Sequence, residues 1–251
     1  MKIVAVYNIK GGVGKTATAV NLSHFAAKEG HRTLIWDLDP QGAACFYFRV
    51  KPKVKGGGRK LIRGKVPVDP QIRGTDFEGL DLLPADFSYR NLDLELDATK
   101  KPLKRLRKLL SPFADEYDYL FIDCAPSISK VSESVFYASD ALLVPTIPTH
   151  LSLRTLEQLK KHLSKHGPWD LRILPFFAMV DRRKSLHRRV TEPGYDLPFP
   201  FLETRIPFSS VVERMGDHRM PLAEWAPRAK ATQTYSRLFR EVDAALRGTG
   251  G

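Results

Sequence analysis

Residues 7–21, YNIKGGVGKTATAVN, decide how the rest of the chain is read. A P-loop follows the pattern G-x-x-x-x-G-K-[ST]. Gly14, Lys15 and Thr16 supply its end, yet the position of its first glycine is Ile9, followed by a second lysine, Lys10. The β-branched run KIVAVYN (2–8) comes before the loop, and GKTATAVNLSHFAAKEG (14–30) comes after it. Together they read as strand, glycine loop and helix, the helix closed by Gly30. In such a loop the backbone N–H groups of Gly11, Gly12, Val13, Gly14, Lys15, Thr16 and Ala17, at a helix N-terminus, surround phosphate oxygens. The Lys15 ammonium reaches the β and γ phosphates and the Thr16 hydroxyl takes Mg²⁺.

Outward from the loop, strand-length apolar runs recur: RTLIWDLD (32–39), GLDLLPA (79–85), YDYLFID (117–123), ALLVPT (141–146) and RILPFFAMVD (172–181). Helical patterns such as LSLRTLEQLKKHLSKHG (151–167) lie between several of them. Alternation of this kind predicts an α/β fold, a mostly parallel twisted sheet with helices on both faces. The 251 residues, 43% hydrophobic, suit one P-loop domain spanning 1–251. The terminal helix pattern ATQTYSRLFREVDAALRG (231–248) places Tyr235, Leu238, Phe239, Val242 and Leu246 on one face, which reads as a stripe docked on the core.

Two segments interrupt the alternation. Residues 49–68 contain no acid, three consecutive glycines and seven cations between Lys51 and Lys65, so they read as a mobile loop within a basic, flexible insertion at 49–78. Residues 193–200, PGYDLPFP, read as an irregular, proline-rich connection.

Two acidic motifs complete the nucleotide chemistry. LFIDCAPS ends an apolar strand in Asp123, the Walker B pattern, where a carboxylate at the strand's C-terminal end holds Mg²⁺ or its water shell. WDLDPQG sets Asp37 and Asp39 two apart at a strand end, on one face if the strand persists. One of the two can support the metal and Thr16 while the other positions an attacking water.

KGGVGKT, DLDPQG and DCAPS, in this order and spacing, resemble the ParA/MinD family of deviant Walker A ATPases, in its ParA-like (Soj-like) branch. The resemblance continues through FFAMVDRR (176–183) and RIPFSSVVERMGDHRMPLAEW (205–225). It implies that Lys10 is the signature lysine, reaching across an ATP-bound homodimer to the partner's nucleotide while Lys15 acts in cis. It also implies that Asp39 orients the hydrolytic water, that Thr16 and Asp37 serve Mg²⁺ with Asp123 acting through water, and that Asp181 and Pro207 line the base and ribose pocket. Ala17 departs from relatives that carry a hydroxyl residue there, which removes a phosphate hydrogen bond worth about 1 kcal/mol.

A net charge of +12 favours a polyanionic partner. Arg182, Arg183, Lys184, Arg188 and Arg189 in DRRKSLHRR (181–189) form a basic ridge on a helical pattern, and KKPLKRLRK (100–108) and the 51–65 segment are further basic clusters. No helix-turn-helix or zinc finger is visible, so the expected contact is with nonspecific DNA through phosphates. The resemblance implies hydrolysis stimulated by a ParB-like or other cargo adaptor and a nucleoid-associated place in the cytoplasm. No signal peptide or long apolar run is present, and no operator-binding extension precedes the loop. The competing functions are a MinD-like switch held at the membrane by its terminal helix, and an iron–sulfur reductase relative. Stable membrane binding is not expected, and Cys45 and Cys124 do not match the reductase cluster positions.

Overall fold

In the computed structural model, which describes residues 1–248, the apolar run Lys2–Val6 is β1 and enters a sheet buried on both faces. The chain then alternates through α1 (Lys15–Lys28), β2 (Thr33–Asp37), α2 (Ala43–Tyr47), α3 (Gly58–Ile62), β3 (Arg73–Gly74), β4 (Leu80–Leu83), α4 (Leu92–Asp97), α5 (Arg105–Leu110), β5 (Tyr119–Asp123), α6 (Lys130–Ala138), β6 (Ala141–Thr146), α7 (His150–His166) and β7 (Arg172–Phe177). Five helices follow: α8 (Ser185–Val190), α9 (Ser210–Glu213), α10 (Met215–His218), α11 (Leu222–Trp225) and α12 (Lys230–Arg247). The sheet order is β3-β4-β2-β5-β1-β6-β7, every pairing parallel except β3 with β4. The parallel α/β sheet expected from the alternation is therefore present, with one antiparallel edge strand.

Side chains alternate across the strands and build two cores. Val4, Val6, Ile35 and Phe121 face the layer that holds α1 and α12. Ile3, Ala5, Leu34, Trp36, Leu120 and Ile122 face the opposite layer, under α4, α5 and α6. The stripe on α12 docks as expected: Tyr235, Leu238, Phe239, Val242 and Leu246 are all buried in the first layer. Residues 193–200 carry no regular element, as expected.

The segment 49–68 differs from the mobile loop expected. Val54, Leu61, Ile62 and Val68 are buried in the second core layer, and α3 forms within the segment. Two of its cations close on one acid: Arg59 Nε and Arg63 Nε each lie 2.5 Å from the Glu95 carboxylate, whose side chain is 1% exposed. Gly56, Gly57 and Gly64 sit at positive φ, whereas Gly58 serves a close contact. A Cβ on Gly58 would collide with the Tyr89 ring, so only glycine lets α3 approach that ring.

The register sets the site. Val6 and Asp37 both pair with Asp123, so β1, β2 and β5 end level and their following loops share one rim of the sheet. In open parallel sheets, ligands bind in the crevice beyond these carboxyl ends.

Candidate functional site

The glycine loop leaves β1 under tight local control. Asn8 Oδ1 accepts the Lys10 N–H at 2.9 Å, and Asn8 Nδ2 donates to the Pro145 carbonyl at 2.8 Å. Gly12 and Gly14 sit at φ of 70° and 91°, a backbone region that L side chains rarely adopt. Gly14 caps α1 without any side-chain bond, which leaves the first N–H groups of a 14-residue helix to a ligand. Lys15 is buried, and its Nζ donates to the Lys10 carbonyl at 3.1 Å. Burial pulls its ammonium below the usual lysine range, opposed chiefly by the Asp123 carboxylate. Lys10 itself is half-buried at the mouth of the loop. Ala17 lies in the first turn of α1, its carbonyl accepting from Asn21 Nδ2 at 2.7 Å.

Two acids are buried side by side near Lys15, and a third stands at the rim. Asp37 and Asp123 end adjacent strands in register and are 0% and 1% exposed. Asp37 Oδ2 accepts the Cys45 N–H at 2.8 Å, while Asp37 Oδ1 and both Asp123 oxygens have no partner at hydrogen-bond geometry among the described residues. Burial pushes Asp37 up to about 6. It pushes Asp123 well above the carboxylate range, with the Asp37 charge adding to the rise and the Thr16 hydroxyl opposing it in part. Buried carboxylate oxygens without partners are rare in folded proteins and mark a place where a cation or proton is taken up. Asp39 lies past the end of β2 in the following turn, where its Oδ1 accepts the Gln41 N–H at 2.9 Å. That bond orients a half-exposed carboxylate at the rim, and its charge is felt at both Lys15 and Asp123.

Pro207 and Val13 line a hollow beside the loop, together with Gly14, Met179, Phe208 and Tyr235. Asp181, expected in that pocket, lies outside its lining and holds Arg183 instead. Arg183 Nε and Nη2 each donate to the Asp181 carboxylate at 2.9 Å, and the Arg183 N–H adds a bond at 3.0 Å. The guanidinium pulls the Asp181 carboxyl down to about 2. The reason is local: two residues apart in a tight turn, the carboxylate meets the neighbouring arginine before it meets the hollow.

The expected basic ridge is correspondingly split. Arg183 is paired, and Lys184 stands exposed ahead of α8. Arg189 borders a separate hollow beside Arg188. Arg182 and Arg188 line a cleft of about 670 Å³ whose other cations are Arg205, Lys230 and Arg237. Sequence reasoning missed these three, which look like scattered charges along the chain. Lys230 and Arg237 are exposed seven residues apart on α12, with the buried Thr234 between them, a spacing present in the sequence, whereas Arg205 becomes a neighbour only through the fold. The 100–108 cluster lies away from this cleft, on α5 and the turn before it, where Leu106 joins the opposite core layer.

Comparison with known proteins bears on the whole chain. A family model described as an AAA domain matches residues 1–167. The sporulation initiation inhibitor protein Soj of Bacillus subtilis (strain 168) is 32% identical over 249 residues, covering 97% of this chain and 98% of Soj. The chromosome partitioning protein ParA of Caulobacter vibrioides (strain NA1000 / CB15N) is 30% identical over 253 residues, covering 96% and 94%. Among solved structures, a cobyrinic acid a,c-diamide synthase from Mycobacterium smegmatis with bound ATP analog and magnesium superposes with a TM-score of 0.78 at 26% identity, covering 100% of this chain and 97% of that one.

Proposed function

The chain belongs to the ParA/MinD family of deviant Walker A ATPases, in the Soj-like branch, and from that premise we propose that it is an ATP-driven switch that dimerises on nucleotide and binds nonspecific DNA. The observation that carries this reading is the meeting of Lys15, Thr16 and an uncapped helix N-terminus with buried carboxylate oxygens that have no partner of their own.

These residues fit ATP with Mg²⁺. Among the described residues no three His, Cys, Asp or Glu side chains stand together as a metal cluster. A cation here would be held by the Thr16 hydroxyl with support from Asp37, and by Asp123 through water. When bound, Mg²⁺ neutralises phosphate charge. In this reading the backbone from Gly11 to Ala17 grips the phosphates, and Lys15 moves from the Lys10 carbonyl to the phosphate oxygens of its own subunit. Asp39, held by the Gln41 N–H, orients the attacking water. Lys10 serves the nucleotide of a second copy. Closure of two copies would bring together two basic clefts, each carrying Arg182, Arg188, Arg205, Lys230 and Arg237, and so tie DNA affinity to nucleotide state. A cargo adaptor that speeds hydrolysis would release the pair. The apolar face of α12 is buried in the core, which argues against lipid as the anchoring surface.

Lysine substitutions test the assignment. Lys10→Ala is expected to bind ATP measurably yet stay monomeric in sizing experiments with ATP, and to lose ATP-dependent DNA retention. Lys15→Ala is expected to lose nucleotide binding itself. A Lys10→Ala protein that dimerises and hydrolyses ATP normally in the presence of DNA removes the trans role.

A further inference from the structure

Asn8 stands between β1 and the loop and takes no part in the roles assigned above. Its side chain is buried, 4% exposed, and both ends of the amide are engaged. Nδ2 donates to the carbonyl of Pro145 in β6 at 2.8 Å, and Oδ1 accepts the Lys10 N–H at 2.9 Å. The Lys10 carbonyl accepts in turn from Lys15 Nζ at 3.1 Å. One side chain thus links a neighbouring strand to the backbone of one lysine and, through it, to the ammonium of the other.

The chemistry at this position is restrictive. An amide alone among short neutral side chains offers a donor and an acceptor at the reach required. A carboxylate keeps the acceptor for Lys10 but faces the Pro145 carbonyl with no proton to give. Alanine leaves the Lys10 N–H and the Pro145 carbonyl both without their partner, in a place with little water. Adjacent residues hold the chain on either side. Ile9, which stands where a standard P-loop has glycine, packs against the second core layer, and the Tyr7 hydroxyl donates to the Ser127 carbonyl at 2.8 Å in the loop that follows Asp123. The path from residue 7 to residue 10 is therefore set by three side chains. Lys10 leaves the loop along a direction fixed by its own anchored N–H.

We propose that Asn8 is a positioning residue for Lys10, clamping the loop so that the lysine points out of its own site toward the nucleotide of a second copy. The proposal rests on the trans role assigned to Lys10 under Proposed function. A long side chain amplifies any tilt of its backbone, and a displacement of about 1 Å at a reacting group is worth on the order of 100-fold in rate.

The experiment compares Asn8→Ala, Asn8→Asp and Lys10→Ala, each also against the wild-type chain. The readouts are ATP affinity by titration, ATP-dependent dimerisation by sizing, and kcat and KM for ATP hydrolysis with double-stranded DNA present. Asn8→Ala is expected to keep its ATP affinity and to lose about 10- to 100-fold in kcat together with the dimer, the pattern produced when a contact made across the dimer, and not with the subunit's own nucleotide, is removed. Adding Asn8→Ala to Lys10→Ala is expected to lower kcat no further than Lys10→Ala alone, because Asn8 acts through Lys10. Asn8→Asp keeps the acceptor for the Lys10 N–H but sets a carboxylate against the Pro145 carbonyl, so it too is expected to lose kcat and the dimer, and ATP affinity retained in either variant shows that the variant is folded. Normal kcat in a folded Asn8→Ala or Asn8→Asp variant, or losses that multiply in full with Lys10→Ala, would each overturn the proposal. If Lys10→Ala is itself normal, the trans reading fails. If Lys10→Ala is defective while Asn8→Ala is normal, the positioning role alone fails.

Discussion

At the scale of single residues, the site is a place where acids are held away from water before any ligand arrives. Asp37 retains its proton up to about pH 6 because burial penalises its charge more than the Cys45 N–H relieves it. Between its unfolded pKa near 4 and this value, the native chain binds more protons than the unfolded one. The resulting stability is fully present below about pH 4 and is lost as pH rises through 6, on the order of 3 kcal/mol for a shift of this size. In melts of the nucleotide-free protein from pH 4.5 to 7.5, the wild-type chain is therefore expected to lose stability relative to Asp37→Asn as pH rises. Parallel profiles for the two proteins would show that Asp37 does not titrate in this range. The identities of Asp37, Asp39 and Asp123 were legible in the sequence, since each closes or follows a strand-length apolar run. Their different states were not. Asp39 is held by a turn N–H two residues on, whereas the burial of Asp123 without a hydrogen-bond partner among the described residues depends on strands adjacent in space and far apart in sequence.

At the scale of elements, legibility follows the range of the interaction that stabilises each one. The helix α12 could be read from local spacing, because its apolar residues recur at the helical period whatever they dock against. The segment 49–68 could not. Its seven cations and three glycines have the composition of a solvated loop, while what holds it is Glu95, 36 residues beyond Arg59, and the Tyr89 ring against Gly58. Asp181 shows the opposite case, a carboxylate whose partner lies two residues away rather than across the fold. The docking of α12 has a measurable magnitude. Phe239 is fully buried between α12 and the sheet, so Phe239→Ala is expected to cost about 3–5 kcal/mol in denaturant unfolding. Arg240, the next residue along, is 69% exposed and pairs with Glu29 at 3.1 Å, so Arg240→Ala should change stability by no more than about 1 kcal/mol. Similar small losses for both would mean that the helix rests loosely on the core, and would return its apolar stripe to consideration as a lipid-binding face.

At the scale of the whole molecule, the +12 charge is meaningful only where the fold concentrates it. Arg59 and Arg63 are committed to Glu95, Arg183 to Asp181, Arg240 to Glu29 and Arg247 to Asp243. In the cleft bordered by α8 and α12, none of Arg182, Arg205, Lys230 and Arg237 forms an ion pair among the described residues. Those cations remain for an external polyanion, with Glu192 and Glu203 the acids among the described residues of its lining. A dimer that neutralises about 8 phosphates through two such clefts should show log K falling against log salt with a slope of roughly −7 on duplex DNA of any sequence. Replacing Arg205 and Lys230 by alanine should flatten that slope by about one unit for each phosphate no longer neutralised, while leaving ATP affinity intact. A slope near zero for the wild-type chain with ATP would remove DNA as the partner. An unchanged slope in the Arg205→Ala, Lys230→Ala protein would move DNA binding off this cleft, to the exposed Lys184 and Arg189 or to the cations of α5 on the other face of the sheet.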